Sequence, residues 1–144
     1  GSDRDQVKAI AAGQGDIAVV NSYYIGLLLS SQKEEEIKAG KAVSVFFPNQ
    51  GKNQRGAHIN ISGLALTKNA PNRDNAIQLI KYLTSTQAQE IYVKNSFEYS
   101  VNPDVKPDEI VQAWGEFKKD PVDFNSLGTN RNEAIRIFDK TGWK

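Results

Sequence analysis

Cysteine is absent from the 144 residues. Disulfides, thiolate nucleophiles, zinc ribbons and iron–sulfur clusters are therefore excluded together. Histidine occurs once, as His58, so no metal site made of several histidines can be assembled within the chain. Charge of one sign is not in excess: 18 Lys and Arg stand against 17 Asp and Glu, a net charge of +1. With no surplus of cations to pair with phosphates, nucleic acid and anionic membrane surfaces are poor partners. The longest apolar run, Ile25 to Leu29 interrupted by Gly26, is far too short to span a bilayer. Enzymatic chemistry also lacks material. No nucleophile–base pair and no serine motif is visible, so hydrolase or transferase activity has little to stand on. Gly51 to Gly56 imitates the glycine spacing of a phosphate loop, but Ala57-His58 follow where Lys and Ser or Thr are required.

What is present is the composition of a folded protein, 39% hydrophobic and 24% charged. Residues 3–12 read as a helix with Val7, Ile10 and Ala11 on one face and Gly13 as its stop. The run DIAVV at 16–20 is typical of a strand buried on both faces. Asn21-Ser22 then precede the apolar stretch 25–29 as helix N-cap residues would, giving strand, turn, helix over 16–31. Ser31 and Glu34 match a capping box for a helix that ends at Gly40. Strands are predicted at 43–47, 59–67 and 97–101, with a polar loop at 49–57 and a two-proline linker at 102–107. Further helices are predicted from 71–72, from 85–86 to about 94, over 108–117, and from an Asn130–Glu133 capping box to about 140. Alternating strands and helices place the chain in the α/β class. Starting on a helix with only three or four strands, it reads as part of a larger doubly wound protein. Trp114 and Trp143 are expected as core anchors, Tyr82 and Tyr92 as packing residues, His58 as a surface residue, and Glu34-Glu35-Glu36 as a solvated face.

The feature that carries chemistry is Tyr23-Tyr24. Adjacent side chains point to opposite faces of a strand and diverge by about 100° on a helix. At a strand-to-helix turn both can project into one cleft, and open α/β sheets bind ligands at such turns. Phenolate is a hard anionic oxygen donor suited to a hard cation. A phenol of pKa about 10 is deprotonated by the ion that it binds, so binding releases protons. Asn21, Ser22 and free N–H groups at the helix start could hold a small anion. The residues alone support a cleft with hard oxygen donors.

Several blocks, in order, resemble the ferric-iron-binding periplasmic proteins of ABC transporters, in the type II periplasmic-binding-protein superfamily: DRDQVKAIAAGQGDIAVVNSYYIG, GAHINISGLALTKNAPNRDNAIQLIKYLTSTQAQEIY, YSVNPDV and NEAIRIFDKTGW. The first block is fairly specific, whereas GAHINISGLALTK is shared with binding proteins for other solutes. The likeness covers essentially the whole chain but only about the second half of the family's length. It implies an α/β fold of type II periplasmic-binding-protein type, present as the C-terminal portion of two lobes. Residues 1–53 would be a second-lobe segment carrying the tyrosines, 54–103 a segment contributing to the first lobe, and 104–144 the return to the second lobe. Tyr23 and Tyr24 would be ligands to Fe3+, and Asn21 and Ser22 would help to hold a synergistic anion such as carbonate or phosphate. The remaining ligands would come from the N-terminal half of the same protein, and the partner would be a transporter permease. Localisation would be periplasmic, with no catalysis. A binding protein for another small solute, or a ligand-sensing domain of the same fold, remains the alternative.

Overall fold

The computed structural model describes residues 1–143. Eight helices are formed among the described residues: α1 (Asp3–Ala11), α2 (Tyr23–Leu29), α3 (Glu34–Lys41), α4 (Arg73–Leu83), α5 (Thr86–Ser96), α6 (Glu109–Gln112), α7 (Phe124–Thr129) and α8 (Arg131–Thr141). They fall in two compact units. One comprises Gly1–Phe46 with Asn60–Glu116, the other Phe47–Ile59 with Phe117–Lys144.

The first unit is organised around α2, which packs against α1, α3, α5 and α6. α1 starts at a complete capping box: the Asp5 N–H reaches Ser2 Oγ at 3.3 Å, and the Ser2 N–H reaches Asp5 Oδ2 at 2.8 Å. Its apolar face delivers Val7 to a core shared with Ile25 and Leu28 of α2. Val20, Leu29, Val43, Val45 and Trp114 close around that core, so Trp114 is the anchor that was expected. Burial of Leu28, which is wholly enclosed, contributes about 1.5–3 kcal/mol. α5 starts at Ser85, whose hydroxyl accepts from the Ala88 N–H at 3.4 Å. It ends at Phe97, which takes the left-handed conformation (φ 57°) and is buried. That close packing depends on Gly26. A Cβ there would lie 2.3 Å from Phe97 Cγ, so only glycine lets the ring seat on α2.

The second unit is held by backbone pairing between two distant segments. The Ala57 N–H donates to Lys118 O at 2.9 Å and the Asp120 N–H to Ala57 O at 2.8 Å, forming a parallel bridge. Gly56 (φ 100°) permits it, because a Cβ would meet Lys118 O at 2.6 Å. Gln50 brackets Lys118, accepting its N–H at 2.6 Å and donating to its carbonyl at 3.1 Å. Arg55 pairs with Asp120 at 2.7 Å, and Phe47 stacks on Phe117 with centroids 4.0 Å apart.

Several expectations are corrected. Segments 16–20, 43–47, 59–67 and 97–101 form no strands among the described residues, where the Ala57–Lys119 bridge is the only β pairing. A strand is completed by a neighbouring strand, and none is placed beside these segments. Ile17, Val19, Phe46, Ile61 and Leu64 are left exposed on them. Ser31 does not cap α3: the N-cap is Lys33, and Ser31 Oγ donates to Glu36 Oε2 at 2.6 Å. Glu36 is therefore not part of a solvated face but buried, 3.6 Å from Lys8 Nζ. Gly40 does not stop α3, which continues to Lys41. The helix over 108–117 shrinks to the four residues of α6, and α7 had no sequence signal. Asn130 gives α8 no side-chain cap, and Glu133 instead pairs with Arg136 at 3.2 Å. Trp143, Tyr82 and Tyr92 are exposed rather than packed.

Candidate metal site

Among the described residues no group of three or more His, Cys, Asp and Glu side chains is placed to hold a metal ion. His58 is exposed. The tyrosines are the other oxygen donors that the sequence singled out.

Tyr23 and Tyr24 are the first two residues of α2, both half-buried. Consecutive helical positions should send their side chains about 100° apart. Their ring centroids nevertheless lie only 4.3 Å apart, with planes inclined at 32°. Ser22 and the residues after it are tied by i to i+3 bonds, from the Tyr24 N–H to Asn21 O at 3.2 Å and from the Ile25 N–H to Ser22 O at 3.0 Å. The Tyr23 phenol is pushed up to about 12, first by its hydrogen bond with Tyr24, then by partial burial, and then by the charges of Tyr24, Asp3 and Glu98. The protein alone thus keeps Tyr23 protonated. The negative surroundings that oppose a bare phenolate are the same ones that favour a cation beside it.

The flanking pair differs from the helix caps that the sequence implied. Asn21 turns away from α2: its backbone N–H and its Nδ2 both donate to Asp3 Oδ2, at 2.8 and 3.0 Å. Ser22 occupies the N-cap position but has helical torsions (φ −59°, ψ −33°), and its side chain makes no capping bond. Effective N-caps are extended, so that the hydroxyl can fold back onto the next turn.

Two carboxylates near the pair were not foreseen. Asp3 carries no motif, and its partner Asn21 is 18 residues away. Glu98 follows the left-handed Phe97 and accepts hydrogen bonds from the Tyr92 hydroxyl and from Ser62 Oγ, the latter at 3.1 Å. Two hollows in the first unit, of about 450 and 370 Å3, are lined by α1 with α3 and by the residues around Trp114. Neither includes Tyr23 or Tyr24.

Comparison with known proteins gives this geometry a context. Residues 3–119 match the model of the bacterial extracellular solute-binding protein family. The chain is 42% identical over 144 residues to iron uptake protein A2 of Synechocystis sp., covering all of this chain and 42% of that protein. Among solved structures, a Trichodesmium protein in complex with iron and citrate is 42% identical, with a TM-score of 0.93. A ferric binding protein from Campylobacter jejuni is 37% identical, with a TM-score of 0.92. Both matches cover 100% of this chain and 45% of the other. The fold is accordingly that of the type II periplasmic binding proteins, matched over less than half of their length, so the α/β class holds although these segments form no ladder.

Proposed function

The chain belongs to the bacterial extracellular solute-binding protein family, and on that premise we propose that it supplies the tyrosine side of a ferric-iron site in an importer's binding protein. The observation that carries this reading is the close approach of the two tyrosine rings, with centroids 4.3 Å apart, at the start of α2. The names of its relatives support the same cargo.

The chemistry follows from the donor set. Fe3+ is a hard cation, and two phenolates would neutralise two of its three charges. Binding displaces the Tyr23 proton, which the protein otherwise holds up to about pH 12. The coordination sphere would be completed by donors outside this chain and by a small anion of the carbonate, phosphate or carboxylate kind, which Asn21 and Ser22 would help to hold. Residues 1–53 and 104–144 would belong to one lobe, with 54–103 contributing to the other. The unpaired apolar segments at 16–20, 43–47 and 59–67 would then find their neighbouring strands in the remaining N-terminal half of the protein. Iron would be captured between the lobes in the periplasm and passed to a transporter permease, without covalent chemistry on the cargo. No helix among the described residues is long and apolar enough to cross a membrane.

The test is optical. The full-length protein given ferric iron develops a visible tyrosinate-to-iron charge-transfer band, and the Tyr23→Phe, Tyr24→Phe double variant loses it. A colourless wild type, or an undiminished band in the double variant, would sink the proposal.

A further inference from the structure

A short helix presenting two metal-binding side chains needs its start held in place. α2 has only seven residues, no acidic residue in its first turn and no side-chain N-cap. None of the local devices that ordinarily fix a helix start is present. Beyond the packing of its apolar residues, the side-chain contact made to its approach comes from a single oxygen 18 residues away. Asp3 Oδ2 accepts both the backbone N–H of Asn21, at 2.8 Å, and its side-chain Nδ2, at 3.0 Å. Asp3 is itself fixed as the first residue of α1, directly after the Ser2 N-cap of that helix. The bond pair is half-buried, where a charge-assisted hydrogen bond is stronger than one in open water.

We propose that Asp3 is the positioning residue of the tyrosine site, clamping Asn21 so that α2 starts where both phenols converge; this rests on the iron reading above. Two consequences follow from the geometry. The double contact fixes which way the Asn21 amide faces, because Nδ2 and not Oδ1 must meet the carboxylate. It also holds the residue two positions before Tyr23 at both its backbone and its side chain, which fixes the backbone from which both phenols project. Partners that orient metal ligands without touching the metal typically change affinity by about 10–100-fold.

The experiment uses the full-length protein with ferric iron and compares the wild type, Asp3→Ala and Asp3→Asn. Both contacts go to one oxygen, so the Asn variant retains an acceptor for them while losing the charge. The readouts are the charge-transfer band per bound iron, the iron affinity from chelator competition and the melting temperature of the iron-free protein. Asp3→Ala is expected to weaken iron binding by about 10–100-fold and to shift or broaden the band, and Asp3→Asn to restore most of both. An unchanged band and affinity in Asp3→Ala overturns the proposal, as does a loss of melting temperature alone. An Asn variant as impaired as the Ala variant overturns the positioning role, since charge rather than geometry would then be responsible. A wild type without the band refutes the iron reading itself and is thereby distinguished from failure of the Asp3 clamp.

Discussion

Replacing Gly26 by alanine sets two effects of opposite sign against each other. Mid-helix glycine costs about 1 kcal/mol relative to alanine, so on helix propensity alone Gly26→Ala should stabilise α2. The added methyl, however, would sit 2.3, 2.5 and 2.7 Å from Phe97 Cγ, Cβ and Cδ1. Ordinary contact starts near 3.4 Å, so the ring must retreat by roughly 1 Å, and the atoms struck lie at the root of the side chain rather than at a pliable tip. Phe97 has little freedom to comply, being 6% exposed and left-handed at the C-terminus of α5. Overpacking of this kind costs about 1–3 kcal/mol, and expelling the ring would forfeit about as much again in buried area. The clash outweighs the gain: crediting about 1 kcal/mol of propensity against it leaves a net destabilisation of up to about 2 kcal/mol. Denaturant unfolding of the full-length protein measures it, with Phe97→Ala as the second arm of a double-mutant cycle. With the ring gone, Gly26→Ala should become neutral or stabilising by up to about 1 kcal/mol. A stabilising Gly26→Ala in the presence of Phe97 would refute the reasoning, because the propensity term would then have gone unopposed.

Other outcomes are expected on the same footing. Leu28→Ala empties the centre of the core and should cost about 2–5 kcal/mol in denaturant unfolding, whereas Leu127→Ala, at a 45% exposed position, should cost far less. Tyrosinate absorbance in the iron-free protein should show a step near pH 12 that Tyr23→Phe removes. The folded-state pKa of this phenol lies above the unfolded value of about 10. Its contribution to stability is therefore complete below pH 10 and is lost as pH rises from there towards 12. Iron affinity should move the other way, weakening as pH falls because protons compete for the phenolates; pH-dependent chelator titration reads this, and a pH-independent affinity would contradict phenolate ligation. The Glu36 carboxyl is held below the usual carboxylate range chiefly by the Ser31 hydroxyl, so Ser31→Ala should raise the pH at which acid begins to unfold the protein.

The elements legible in the sequence were those whose cause is local. α1, α4 and α5 follow from apolar periodicity, and the Ser85 cap of α5 makes its bond, whereas the Ser2 cap of α1 was not read from the sequence. Ser31 shows the limit of that logic. Its spacing to Glu34 fits a capping box, yet Glu36, two residues on, takes its hydroxyl because Lys8 and Lys33 also gather there. The strand predictions rested on residue type, while a strand exists only through a neighbour that the sequence pattern does not supply. At the candidate site, the tyrosines were singled out from an expected strand-to-helix turn, of which the helix forms and the strand does not. Asp3 and Glu98 were not, because the contacts that bring them near cross 18 residues in one case and depend on the buried Phe97–Gly26 approach in the other.

The bridge between Ala57 and Lys119 has a consequence for the order in which the molecule can be made. The first unit is complete in sequence once residue 116 exists, while the second has no contiguous parent: residues 47–59 must wait for 117–120 before any of their inter-segment bonds can form. During synthesis from the N-terminus, the tyrosine-bearing unit can consolidate while the loop at 49–57 is still unclipped. A chain stopped short of residue 118 would keep the phenols and Asp3 but leave that loop with nothing to close upon. Residues 117–120 are thus a fastener for a segment made some sixty residues earlier.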